Sequence, residues 1–366
     1  MVSIVYPHYI SEENMAVGQD ASGKDLTVKI IYIKGKGQTA PSVYMQASMH
    51  AAEIQGNAVI FELLAHFCQK QPLGDITIIP QCNPIGLMHR AGAGHQGRFD
   101  AMNGDNWNRY YLCPEIDYDA FAQSHITSDT AAYKREFKTL LAAEIDKALS
   151  DNLSLTRAKR LAYSVQRHAV KADIVLDLHT DTNAIDYLYS PLYAQEASGQ
   201  FGFAHVLLIG NNFGGAMDEA IFCPWWRLQQ AFLRQNRKED VLIDSFTLEL
   251  GPEEVIDQKR AQRQADGIVN YLAYKNVLPA SPKGIKTVQY HTRESFKAIY
   301  APRGGLYEWF ISPGQKVQKD QVIGRCLQMA NNQSFDITLP YNGLVVSING
   351  KGALPQSAHI LNLFTV

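Results

Sequence analysis

Apolar residues in this chain fall into short runs separated by longer amphipathic stretches. Residues 43–47, 75–80, 173–178, 204–209 and 242–251 read as buried strands. Residues 26–33 alternate and run into Gly35-Lys36-Gly37, the signature of an edge-type strand and turn. After the run at 43–47, Ile54, Ala58, Phe61, Ala65 and Cys68 recur at spacings of four and three, which predicts a helix. Further helices are predicted over about 131–150, 155–170 and 256–276, with another ending near Lys238. Strand, helix and strand at these spacings make a crossover unit of a largely parallel sheet.

Two stretches break this rhythm. Residues 87–114 are long, polar and rich in glycine, and a loop of that length inside a compact domain is usually functional or disordered. Its arginines have a plain structural reading, pairing with Asp100 and Asp105. The second break is at residues 278–284, which hold two prolines and a glycine and read as a linker. Beyond it, short alternating segments are punctuated by Gly304-Gly305, Pro313-Gly314, Asn342-Gly343 and Asn349-Gly350, a small all-β module. A chain of 366 residues exceeds the size at which one core keeps growing, so the expected division is residues 1–280 and 285–366.

Composition narrows the function. A charged fraction of 19% and a formal net charge of −2 give no electrostatic case for nucleic acid or an anionic membrane as partner. No stretch approaches the ~20 apolar residues of a membrane span. The five cysteines are scattered without knuckle or disulfide spacing, and the first residues lack a basic segment followed by an apolar one. The expectation is a cytoplasmic protein. Oligomeric state is left open.

The chemistry gathers at strand ends, where open α/β sheets place their sites. His50 follows the run at 43–47, and Glu53 lies three residues on, at the start of the helix. That junction lets an imidazole and a carboxylate point at one spot, a pair suited to Zn²⁺. The best third ligand is His179, which closes the run at 174–178. Glu249 stands in the otherwise apolar run 246–250, where a carboxylate is rare unless paired or functional.

Taken in order, His50-x-x-Glu53, Asn83-Pro84, Arg98, Asn108-Arg109, Asp177-x-His179 and Glu249-Leu250-Gly251-Pro252 resemble the succinylglutamate desuccinylase/aspartoacylase family of the zinc carboxypeptidase superfamily. The resemblance implies an α/β fold, a mixed eight-stranded sheet flanked by helices. It implies one zinc per chain on His50, Glu53 and His179, with Glu249 as general acid/base. It implies Arg98 as the group polarising the scissile carbonyl, and Asn108 and Arg109 as the grip on a substrate carboxylate. Asp177 matches the carboxylate that orients a ligand histidine; its alternative reading is a strand-end carboxylate bonded to backbone amides. The family's loop commonly reads Asp-Leu-Asn-Arg, whereas this chain reads Asn106-Trp107-Asn108-Arg109, with Asp105 one place earlier. That departure bears on the support of Arg109.

The implied activity is a zinc-dependent amidohydrolase acting on the amide of a small N-acyl amino acid. Two alternatives stay open: a metallocarboxypeptidase acting on short peptides, and a non-catalytic binding protein on the same fold. The tail resembles the barrel-sandwich modules of biotinyl and lipoyl domains through Val317-x-x-x-x-Val322-Ile323-Gly324. Between Leu327 and Ile337, however, it has no lysine. The intact mass should therefore equal the sequence mass; an excess of one lipoyl or biotinyl group would contradict this reading.

Overall fold

The computed structural model describes residues 4–37, 39–92, 94–95, 97–284 and 287–365. The two residues 285–286, where the tail was expected to begin, lie outside the described residues. Strands β1 (Ile10–Gln19), β2 (Asp25–Ile33), β3 (Val43–Ala47) and β4 (Ile76–Ile79) come first, with helix α1 (Gln55–Gln69) between β3 and β4. Helices α2 (Thr130–Ser150) and α3 (Arg157–Ala169) precede β5 (Ile174–Asp181). Then follow β6 (Asn183–Ala184), β7 (Asp186–Pro191), β8 (His205–Ile209), α4 (Met217–Arg234), β9 (Asp244–Pro252), α5 (Gln258–Tyr274) and β10 (Gln289–Thr292).

Nine of these strands form one mixed sheet in the order β1-β2-β4-β3-β5-β9-β7-β8-β10. Its centre, β4-β3-β5-β9, is parallel. That explains the apolar runs: every residue of β3 is buried, and so are the first seven of β5. The resemblance implied eight strands. The ninth is β10, which adds in parallel to β8 although it lies beyond the proline-rich linker.

Alternation along the strands sorts the side chains onto two faces. Met45, Leu176, Leu178, Phe246 and Leu248 pack with α1 and α5. Tyr44 and Val175 share a second core with α2, α3 and α4. Asp177 and His179 lie two and four positions from Val175, so they look toward that second face. Thr247 pairs with Asp177 and Glu249 with His179 in the β5/β9 register. Side-chain caps set the starts of three helices: Asp129, Thr156 and Asp257 accept from the backbone amides of Ala132, Lys159 and Arg260.

The strands of the tail form two antiparallel sheets. β11 (Phe296–Tyr300), β13 (Lys316–Val317), β16 (Gly343–Ile348) and β18 (His359–Thr365) make one, joined by β6 through the pairs Ser347 with Ala184 and Ile348 with Asn183. β12 (Gly305–Trp309), β14 (Val322–Gln328), β15 (Gln333–Thr338) and β17 (Ala353–Leu354) make the other. A third core of Ile323, Cys326, Val345, Leu361 and Leu363, among others, sits with these sheets. No helix among the described residues is long and apolar enough to cross a membrane.

Leu176 is fully buried in the middle of β5. Leu176→Ala should lower stability by about 2–5 kcal/mol, the cost of lost burial plus the cavity left behind. A urea titration followed by far-UV circular dichroism measures this, and an unchanged midpoint would contradict the placement of β5 at the centre of the core.

Candidate metal centre

β3 ends at Ser48, which turns the chain with φ at +59°. Its hydroxyl donates to Asn57 Oδ1 at 2.8 Å, tying the turn to the first turn of α1. This sharp exit is what brings His50 and Glu53 back over the end of the sheet. Glu53 sits two residues before α1 begins, and its carboxylate is almost wholly buried.

That carboxylate is the hub of the site. Oε1 lies 2.8 Å from His50 Nδ1 and accepts from Arg98 Nη1 at 3.1 Å. Oε2 lies 2.6 Å from His179 Nδ1 and accepts from the Thr180 backbone amide at 3.1 Å. The ligand-type atoms of His50, Glu53 and His179 all fall within 4.8 Å of one another, the one such group among the described residues. Two imidazole nitrogens and a carboxylate facing inward at that spacing are a donor set that fits Zn²⁺.

Electrostatics follow from burial and charge. Burial pushes the Glu53 carboxyl up, but the two histidines outweigh it and hold it well below the usual range. Burial pulls His179 down, yet the Asp177 and Glu53 carboxylates outweigh this and raise it well above an ordinary imidazole. For His50 burial wins, and its pKa is lowered.

The far ring nitrogens have separate supports. His179 Nε2 lies 2.9 Å from Asp177 Oδ2 and 3.3 Å from the Asn108 side-chain amide. His50 Nε2 lies 2.8 Å from Asn106 Oδ1. Asn106 therefore meets His50 rather than Arg109. The loop's arginines also depart from their plain reading. Asp100 pairs with Arg157 of α3, Asp105 accepts from the Tyr110 hydroxyl at 2.6 Å, and Arg98 turns to Glu53.

Glu249 is half-buried, and its Oε2 has no hydrogen-bond partner. Burial and the nearby Glu53 charge push its pKa up to about 8. Buried atoms Asn108 Oδ1, Thr180 Oγ1 and Asp177 Oδ2 also lack hydrogen-bond partners, the last meeting His179 Nε2 as a charge contact only. All four belong to residues beside or opposite His179, and unsatisfied buried polar atoms need a reason to persist. A ligand at this point would supply one.

Asn108 and Arg109 occupy a short 3-10 turn, Trp107–Arg109, held by the buried Trp107. Arg109 folds its Nη1 back onto the Asn108 carbonyl at 2.7 Å. The loop before α4 lies directly on this turn. A Cβ on Gly215, whose φ is +99°, would come within 2.4 Å of the Arg109 carbonyl oxygen. Glycine is required there, because any side chain would drive the turn outward.

Sequence reading missed Gln46. Its Nε2 donates to Asp177 Oδ1 and to the Tyr111 hydroxyl, each at 2.9 Å, while Oε1 accepts from the Tyr44 hydroxyl at 2.8 Å. This buried network fixes the carboxylate that faces His179. The signal was available: Gln46 is the polar residue in the run 43–47, as Glu249 is in its own.

Comparison with known proteins identifies the family. The family model for the succinylglutamate desuccinylase/aspartoacylase catalytic domain matches residues 39–275. No curated protein matches the chain. A crystal structure from Shewanella frigidimarina NCIMB 400, named a succinylglutamate desuccinylase/aspartoacylase, is 33% identical with a TM-score of 0.94, covering 98% of this chain and 97% of that one. A family member from Shewanella amazonensis SB2B is also 33% identical, with a TM-score of 0.93 and coverage of 97% and 98%. The product-bound ectoine utilization protein EutE (DoeB) from Ruegeria pomeroyi shares the fold at 15% identity, with a TM-score of 0.68 and coverage of 98% and 95%. A catalytic-domain match over well more than half the sequence, and near-complete superposition on relatives one third identical, carry one conclusion: the chain belongs to the succinylglutamate desuccinylase/aspartoacylase family.

Proposed function

We propose that the protein is a zinc-dependent amidohydrolase that removes the acyl group from a small N-acyl amino acid. The observation that carries this reading is the convergence of His50 Nδ1, His179 Nδ1 and the Glu53 carboxylate, with Glu249 in register opposite His179. The family, one of deacylases, supplies the reaction class.

In this reading His50, Glu53 and His179 hold one zinc. Bound there, zinc supplies Lewis acidity and lowers the pKa of a water to about 7. Glu249, in its carboxylate form and with one oxygen free of partners, takes the proton of the attacking water and passes it to the leaving amine. Arg98, whose side chain is 44% exposed and reaches Glu53, would stabilise the developing oxyanion. Arg109 offers a planar fork to the substrate carboxylate, and Asn108 adds an amide beside it. Asp177 fixes the orientation of His179.

The metallocarboxypeptidase reading uses the same residues, so discrimination rests on access. The chain leaving His179 is tied to the tail at several points. Thr182 Oγ1 donates to the Ile348 carbonyl at 3.2 Å, Asn362 Nδ2 donates to Asp181 Oδ2 at 3.3 Å, and β6 pairs with β16. In this proposal residues 1–280 carry the chemistry and the tail strands bonded to the segment after His179 border the site, which favours a small molecule over a peptide.

Three variants test the roles. His50→Ala should lose stoichiometric zinc, measured by metal analysis of the purified protein. Glu249→Gln should keep zinc and lose roughly 10²–10⁴-fold in kcat with little change in KM. Arg109→Ala should keep zinc and raise KM for carboxylate substrates. Full activity in Glu249→Gln, or full zinc in His50→Ala, would contradict the assignment.

A further inference from the structure

We propose that Asn106 is a positioning residue that sets the metal affinity of the site by holding His50 with a neutral acceptor. The proposal rests on the zinc reading above and goes beyond it, because it names what limits the strength of binding.

The first step fixes a proton. Asn106 Oδ1 lies 3.0 Å from the Asn108 backbone amide and 2.8 Å from His50 Nε2. A backbone N–H can only donate, so the Asn106 atom facing both groups is its oxygen. An amide oxygen can only accept, so Nε2 of His50 carries the hydrogen. The Nδ1 lone pair of His50 is thereby left facing Glu53 and His179, the orientation a ligand needs.

The second step compares the two histidines. His179 has the Asp177 carboxylate 2.9 Å from its Nε2, whereas His50 has an amide. A carboxylate this close raises the basicity of an imidazole more than a neutral amide does. His50 is the weaker donor of the pair. Asp105, one place earlier, does not supply the missing charge to Nε2, because it is engaged with the Tyr110 hydroxyl at 2.6 Å and with Asn103 Nδ2 at 2.9 Å.

The third step links metal and substrate. Asn106 is the N-cap of the turn that carries Asn108 and Arg109. One side chain thus fixes both a ligand ring and the turn bearing the carboxylate fork.

The test is a zinc competition titration against a chromogenic chelator, run on the full chain as wild type, Asn106→Ala, Asn106→Asp and His50→Ala. Asn106→Ala should weaken zinc binding about 10–100-fold, the usual loss for a partner of a ligand histidine. Asn106→Asp should tighten it about tenfold by the same logic. A residue that merely caps the turn would be served equally by asparagine and aspartate. An unchanged dissociation constant in Asn106→Asp therefore overturns the proposal, as does an unchanged one in Asn106→Ala. If Asn106→Ala fails to fold by circular dichroism, the aspartate variant decides alone. Tight zinc binding by His50→Ala would instead overturn the zinc reading itself, so the two failures are distinguishable.

Discussion

One buried carboxylate organises this site. Glu53 is almost without solvent, yet it is surrounded by two imidazoles, a guanidinium and a backbone amide. A carboxylate stripped of water is costly unless such partners compensate. The compensation arrives from three separate parts of the chain: the turn after β3, the long loop at Arg98, and the end of β5. Each must be held rigidly, and the sheet does this. β3 and β5 are parallel neighbours, so their ends deliver His50 and His179 side by side. β9 joins on the other side of β5 and delivers Glu249 opposite His179.

The strand ends were legible in the sequence because burial on both faces leaves continuous apolar runs, and a polar residue inside such a run stands out. Glu249 stands inside its run, whereas His179 and the His50/Glu53 pair stand just past the ends of theirs. The same signal marked Gln46, which went unread because an amide in a strand suggests no chemistry by itself. The partners of Arg98, Asp100 and Asn106 were not legible. They depend on how a long glycine-rich loop packs against the turn before α1 and against α3, and loop packing leaves no periodicity. Proximity in sequence suggested that the loop's charges pair among themselves; instead Asp100 reaches Arg157 and Arg98 reaches Glu53. The two edge strands, β1 and β10, were not legible for a related reason. Gln289–Thr292 is mostly exposed at the sheet edge, so it carries no apolar run, and only its parallel register with β8 reveals it.

The asparagine that departs from the family's usual loop has a definite place in the structure. It keeps the hydrogen bond to a ligand ring and the cap of the 3-10 turn while giving up a charge. The tail likewise has a structural reason to be present, since its strands bond to the segment that leaves His179.

The central claim is that this arrangement hydrolyses the amide of small N-acyl amino acids through a bound zinc. The most direct measurement is kcat/KM for a panel of N-acyl amino acids and short peptides, with chelator-treated protein and with the same protein reconstituted with zinc. The account predicts turnover only after reconstitution, with N-acyl amino acids preferred over peptides and activity falling when the substrate carboxylate is converted to an amide. Activity that survives metal removal, or a higher kcat/KM for release of C-terminal residues from peptides, would contradict it.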